Sequence, residues 1–151
     1  MTVESQIRAS LVQRLATLTV TGGYSSDAGA TVYINQEFTV GGKKPCLCVF
    51  FGDLSDSLEG ETPPEIGREN HFMPVTIEGV IEDGPDGADA EQLKADISRC
   101  LKTDISFSGL AEGFEGPVRS SASVENAGED GWVGFCKVEA SIFYVTAYGE
   151  S

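Results

Sequence analysis

The chain has a single histidine, a single tryptophan, and only 10 Lys and Arg against 24 Asp and Glu, for a formal net charge of −14. One histidine leaves almost no basis for histidine-driven catalysis or for a histidine-rich metal site. The shortage of positive charge argues against nucleic-acid binding, because the phosphate backbone is held by Lys and Arg. Long hydrophobic runs are missing too. The longest, such as Val49-Phe50-Phe51, fall far short of the roughly 20 residues that span a bilayer, and the first residues, Met1-Thr2-Val3-Glu4-Ser5-Gln6, lack a basic-then-apolar signal pattern. A soluble cytosolic product with no membrane partner is expected.

What is present describes one globular domain over residues 1–151, since 40% hydrophobic and 23% charged residues is ordinary folded composition. A chain of this size buries enough surface to fold without disulfide or metal staples. The four cysteines, Cys46, Cys48, Cys100 and Cys136, fall in apolar or amphipathic segments and are expected to be reduced and buried. The negative charge is concentrated: residues 53–69, 82–91 and 112–130 together carry all of it, leaving the rest of the chain neutral. The expectation is a balanced scaffold with acidic connections.

Val3, Ile7, Leu11, Leu15 and Leu18 recur at helical spacing, so an opening amphipathic helix is expected to end between Leu18 and Thr21, before Gly22-Gly23. Thr31-Val32-Tyr33-Ile34 reads as a strand. Pro45-Cys46-Leu47-Cys48-Val49-Phe50-Phe51 reads as another, apolar at nearly every position and therefore covered on both faces, by the helix on one and by a neighbouring subunit on the other. Residues 53–69 read as a long acidic loop with Pro63-Pro64, a candidate interaction arm that becomes ordered against a partner. Met73, Val75, Ile77, Gly79 and Ile81 alternate as a half-buried strand. Asp89-Ala90-Glu91-Gln92 has the form of a capping box opening a second helix through Leu93, Ile97, Cys100 and Leu101. Residues 106–116 read as a loop with Phe107, Leu110 and Phe114 as anchors. Val118 to Val124 and residues 132–148 then read as a closing hairpin. The fold class is α+β, a mainly antiparallel sheet of about five strands with two packed helices in a single domain.

Catalytic patterns do not emerge: no phosphate-binding Gly-x-x-x-x-Gly-Lys, no Gly-x-Ser-x-Gly and no His-Glu-x-x-His occurs. His71 reads as a solvated strand-end residue. Cys46 and Cys48 are taken to lie on opposite faces of a strand, which would prevent a shared metal ion. The run from Glu82 to Asp89 offers oxygen ligands, yet its spacing departs from a calcium loop and reads as a solvated turn before a helix cap. No catalytic residue, metal or cofactor is expected. Trp132 reads either as an interface anchor or as an ordinary strand-edge aromatic.

In its order of elements and local texture the whole chain resembles the tail terminator proteins of long-tailed bacteriophages. The likeness runs through the helix Ile7 to Leu15, the strand Pro45 to Phe50, the strand Val75 to Val80, the helix Ala90 to Ile97 and the closing strand Lys137 to Tyr148. It implies a non-enzymatic virion protein at the head–tail junction, assembled in the host cytoplasm. Such a protein forms a homo-oligomeric ring of six that caps the tail tube protein, ends tail polymerisation and receives a head completion or connector protein. DNA would pass through without specific binding. Candidate tube or subunit contacts are Phe50, Phe51, Leu54, Leu58, Ile66 and Trp132. Asp53, Asp56, Glu59, Glu61, Glu65 and Glu69 would supply loop or channel charge. Another head–tail connector or tail-completion protein is the alternative, and a small cytosolic ligand-binding domain or enzyme the more distant one.

Overall fold

A computed structural model describes residues 2–38, 42–52, 55–56, 68–103 and 113–147. Helix α1 (Val3–Leu15) opens on Thr2, whose hydroxyl accepts the Ser5 amide at 3.1 Å, and it buries Ile7, Leu11 and Leu15. The strands are β1 (Val32–Ile34), β2 (Cys46–Phe51), β3 (Ser55–Asp56), β4 (Arg68–Asp83), β5 (Gly113–Asn126) and β6 (Trp132–Ala147), and helix α2 (Ala88–Leu101) lies between β4 and β5. The sheet runs β1-β2-β4-β6-β5, with β3 paired to β4 off this path. Only β1 and β2 are parallel; every other pairing is antiparallel. The expected α+β architecture of two helices on a mostly antiparallel five-strand sheet is therefore the one observed.

Both helices lie on one face of the sheet. Ile7, Leu11 and Leu15 of α1 and Leu93, Ile97 and Leu101 of α2 pack on Leu47, Val49, Met73, Ile77, Val138 and Tyr144. The alternation expected for β4 and β6 holds: Met73, Val75 and Ile77 are buried, as are Val138, Ala140, Ile142 and Tyr144.

Several expectations are corrected. The α-helical bonding of α1 stops at Leu15, short of Leu18. Thr17 and Leu18 instead donate to the Arg14 and Leu15 carbonyls in a tighter turn, and the Thr17 hydroxyl takes the Arg14 carbonyl as well, at 2.6 Å. Leu18 stays fully buried. The supposed 53–69 loop is partly strand, since Ser55 and Asp56 pair with Phe72 and His71, and β4 begins at Arg68. Likewise β5 starts at Gly113, inside the expected 106–116 loop, with a register break between Glu115 and Arg119. All three acidic stretches thus fall partly on regular elements: Asp56 and Glu69 on β3 and β4, Glu82, Asp83, Asp89 and Glu91 on β4 and α2, and Glu115 and Glu125 on β5. Phe107 and Leu110 lie outside the described residues.

The capping of α2 also differs. Gly87, not Asp89, is the N-cap, at a positive φ of 70°, and offers no side chain. The work is done by Asp83 at the end of β4. Its Oδ2 accepts the Ala90 amide at 2.8 Å, while its Oδ1 accepts Gly84 at 2.7 Å and Asp89 at 3.2 Å. An acceptor from the preceding strand can outcompete a local one because the turn holds it directly beneath the free amides of the first helical turn. The neighbouring strand makes room for it: a Cβ on Gly134 would lie 2.5 Å from Asp83 Oδ2 and 2.9 Å from Ala90 Cβ. Asp83→Ala is expected to cost about 1–2 kcal/mol of stability, whereas Glu82→Ala, one position away and exposed, stays within about 0.5 kcal/mol. Urea denaturation of the two variants checks this.

Candidate interaction surfaces

The face of the sheet opposite the helices is divided in two. Its first half lies over the Cys46 end of β2. There Cys46, Cys48, Val80 and Val133 form a second buried cluster, with Tyr33, Phe38, Phe50 and Phe135 packed against it. The chain itself supplies the second cover of β2 through Phe38, in the connection after β1, so the neighbouring subunit expected there is not required. Beside this cover lies a groove of about 370 Å³ whose lining includes Glu37, Phe38, Val80, Ser121, Phe135 and Lys137.

The second half has no helix or connection over it among the described residues. Phe72 and Phe143 are cross-strand partners with ring centroids 5.1 Å apart, and both are half-buried. Pro74, exposed, and Val145, half-buried, continue the patch along the same face. Apolar residues that stay partly exposed together on one face are candidates for a protein contact. Sequence reading missed this patch. The signal was available, since Phe72 and Pro74 occupy the outward positions of the strand whose inward positions are Met73 and Val75.

A further cavity of about 420 Å³ lies on the helix side, between Ala9, Val12 and Gln13 of α1 and Ile34, Asn35 and Phe51 at the sheet edge. Ile34 is 51% exposed. The Asn35 side chain accepts the Phe51 amide at 3.1 Å, which ties the end of β1 to β2.

Those of the expected contact residues that are described lie apart from one another. Phe50 packs on the outer cluster, while Phe51 turns to the helix side under the Arg8 guanidinium, 4.9 Å from its ring centroid. Trp132, half-buried, stands at the far end of the sheet opposite Asp83 and Asn126. Asp56 is in β3, opposite His71, and Glu69 is in β4, opposite Thr146. Leu54, Leu58, Ile66, Asp53, Glu59, Glu61 and Glu65 lie outside the described residues.

His71 is not solvated. It is 5% exposed and stacks on Tyr144, with ring centroids 4.9 Å apart, because β4 begins three residues earlier and makes position 71 an interior one. Cys46 and Cys48 lie on the same face, not on opposite ones, since residues two apart in a strand share a side. Among the described residues, no group of three His, Cys, Asp or Glu could hold a metal ion. No described helix is long and apolar enough to cross a membrane.

Asp96 was also missed, although its place on the buried stripe between Leu93 and Cys100 marked it. It is 2% exposed and accepts the Ser25 amide at 3.0 Å and the Gln92 side-chain amide at 3.1 Å. Arg99 donates to the Gly23 carbonyl at 2.9 Å and covers the Tyr24 ring at 4.4 Å. Together they fasten the connection after α1 onto α2, so this polar cluster is accounted for by structure rather than chemistry.

No known protein family matches the chain, and no curated protein sequence matches it either.

All four cysteines are free and buried, as expected. Burial pushes the Cys46 and Cys136 thiols up to about 12, and raises Cys48 and Cys100 as well. They are therefore held as neutral thiols, poor nucleophiles and poor metal ligands. A disulfide reagent at pH 8 should find four thiols in denaturant and label the native protein only slowly. The unfolded chain ionises near 9.0, while Cys46 and Cys136 keep their protons to about 12 in the fold. The folded state holds more protons in that window. Their contribution is thus fully present below about pH 9 and is lost as pH rises toward 12, which thermal melts across that range would register.

Proposed function

We propose that this chain is a structural virion protein of a long-tailed bacteriophage, one that caps the tail tube as a hexameric ring, ends tail polymerisation and offers a surface for head–tail joining. The observation that carries this reading is the one-sided layering of the fold. Two helices cover one face of the sheet, and on the other face Phe72, Pro74, Phe143 and Val145 form a patch that no described helix or connection covers. A ring subunit needs such a face, because it must bury surface against both its neighbours and the tube.

The whole-chain resemblance in order of elements supports the same reading, and so does the chemistry. The histidine and thiols that could have driven a reaction are buried in packing roles. The net charge of −14, multiplied in a ring, would keep DNA from adhering to the wall of a conduit. A head–tail connector would share these features and differ in the partner it binds.

Phe72→Asp places a charge on the outer face without touching the helix-side core. The variant should stay folded at a cost of about 1–2 kcal/mol from the lost Phe143 contact but fail to cap, so that tubes assembled in its presence vary in length while the unaltered protein gives uniform ones. Length distributions from electron micrographs read the difference. Uniform tails with the Asp variant would remove the outer face from the account, and irregular tails with both proteins would remove the capping function.

A further inference from the structure

The strand at the end of the sheet, β5, has no partner on its outer side among the described residues. Open edges are ordinarily blunted by bulges, prolines or charge. The first half of β5 follows that rule, with Pro117 lying within the register break between Glu115 and Arg119. The second half has no bulge or proline, and its two charges, Arg119 and Glu125, are of opposite sign. Residues 119–126, Arg-Ser-Ser-Ala-Ser-Val-Glu-Asn, pair with β6 in unbroken register. Arg119, Ser121, Ser123 and Glu125 are all exposed. A regular edge with small side chains and free backbone groups is a template for another strand.

Its sequence identifies which strand fits. In an antiparallel pair, residues directly opposite either both turn their N–H and C=O groups toward each other or both turn them away. That orientation alternates along the chain, so when β5 pairs with a copy of itself only residues of the same parity can face one another. Among the registers this leaves, the one centred on Ala122 sets Arg119 opposite Glu125 of the second copy, and Glu125 opposite its Arg119. Ser121 then faces Ser123 twice, and Val124 faces Ser120 twice. Moving the centre to Ser121 or to Ser123 breaks both charge pairs, leaving Arg119 opposite Ser123 or Ala127. Cross-strand opposite charges stabilise a pair, and they also select its register.

We infer that the free subunit forms a two-fold dimer by antiparallel pairing of residues 119–126 with the same residues of a second copy, held in register by two Arg119–Glu125 pairs. Arg119 already lies 3.7 Å from Glu139 on β6 and is 81% exposed, so it joins a carboxylate row that extends across the new interface. The opposing force is the acidity of the chain. Asp86 and Glu91 line the helix side of the same edge, beside Ala122 and Val124, and each copy brings a net charge of −14. Screening at physiological ionic strength, with a Debye length of about 8 Å, removes most of the long-range part of that repulsion and leaves the close pairs.

A two-fold contact cannot by itself close a six-membered cyclic ring. The dimer is therefore a state of the unassembled subunit, independent of tube capping. It protects the open edge before assembly.

Sedimentation velocity on the full chain at about 0.15 M salt tests this. The unaltered protein should show a reversible, concentration-dependent dimer. Arg119→Glu and Glu125→Arg should each weaken it by tenfold or more, and the double variant R119E/E125R should restore it to within about threefold. Both positions are exposed, and circular dichroism on each variant confirms that the fold is kept. A protein that stays monomeric, a dimer indifferent to the single variants, or a double variant no stronger than the singles would each overturn the proposal. Tail-length measurements on the same variants test the capping function separately, because losing the dimer should leave capping intact.

Discussion

The pairing of β4 with β6 is the constraint on which the rest of the molecule hangs. Residues 68–83 and 132–147 run opposite one another without a break in register, so every side chain on either strand is committed to one face by the strand period alone. The inward row from Met73 to Ile77 and its partners from Val138 to Tyr144 build the bed on which both helices rest. A slip of one residue would bring Glu78, Lys137 and Glu139 into that bed and turn the core rows out to water. The same pairing also delivers Asp83 to the start of α2 and holds Gly134 beside it, so the helix is positioned by the strand rather than by its own opening residues.

That commitment decides where the surfaces lie. With both helices on one side, the other face must be finished by something else. Phe38 finishes half of it within the chain, sealing Cys46 and Cys48. The remaining part sets Phe72, Pro74, Phe143 and Val145 beside Thr76, Glu78, Lys137, Glu139 and Ser141, an apolar patch within a polar face. The central strands cannot take up new partners through their backbone groups, because these are already paired. Association by strand pairing is therefore left to the sheet ends, and other contacts to exposed side chains.

Much of this was legible in the sequence. Period-two alternation located β4 and β6 and sorted their faces correctly, and helical spacing found both helices, because long periodic segments average over local exceptions. The errors came where a single contact outweighed a local signal. The Asp89 capping-box pattern lost to Asp83, a residue six positions earlier whose reach depends on the β4–α2 turn. His71 seemed to end a strand because the acidic segment before it masked the start of β4. The Cys46 and Cys48 assignment broke the period-two rule and needed no structure to correct. Phe50 and Phe51 were both expected in contacts, and as neighbours in a strand they lie on opposite faces. Burial of β2 on both sides was rightly read, but its second cover came from Phe38, a loop residue with no periodic context to announce it.

A chain that sits on tube ends as a ring would bury the sheet face that no described residue covers against its neighbours or the tube. Electron cryomicroscopy of tail tubes assembled with the full chain tests this most directly. Sixfold density at the tube end, with the face bearing Phe72 and Phe143 in contact, is the result the account predicts. Bare tube ends, or a ring in which that face looks out into solvent, would contradict it.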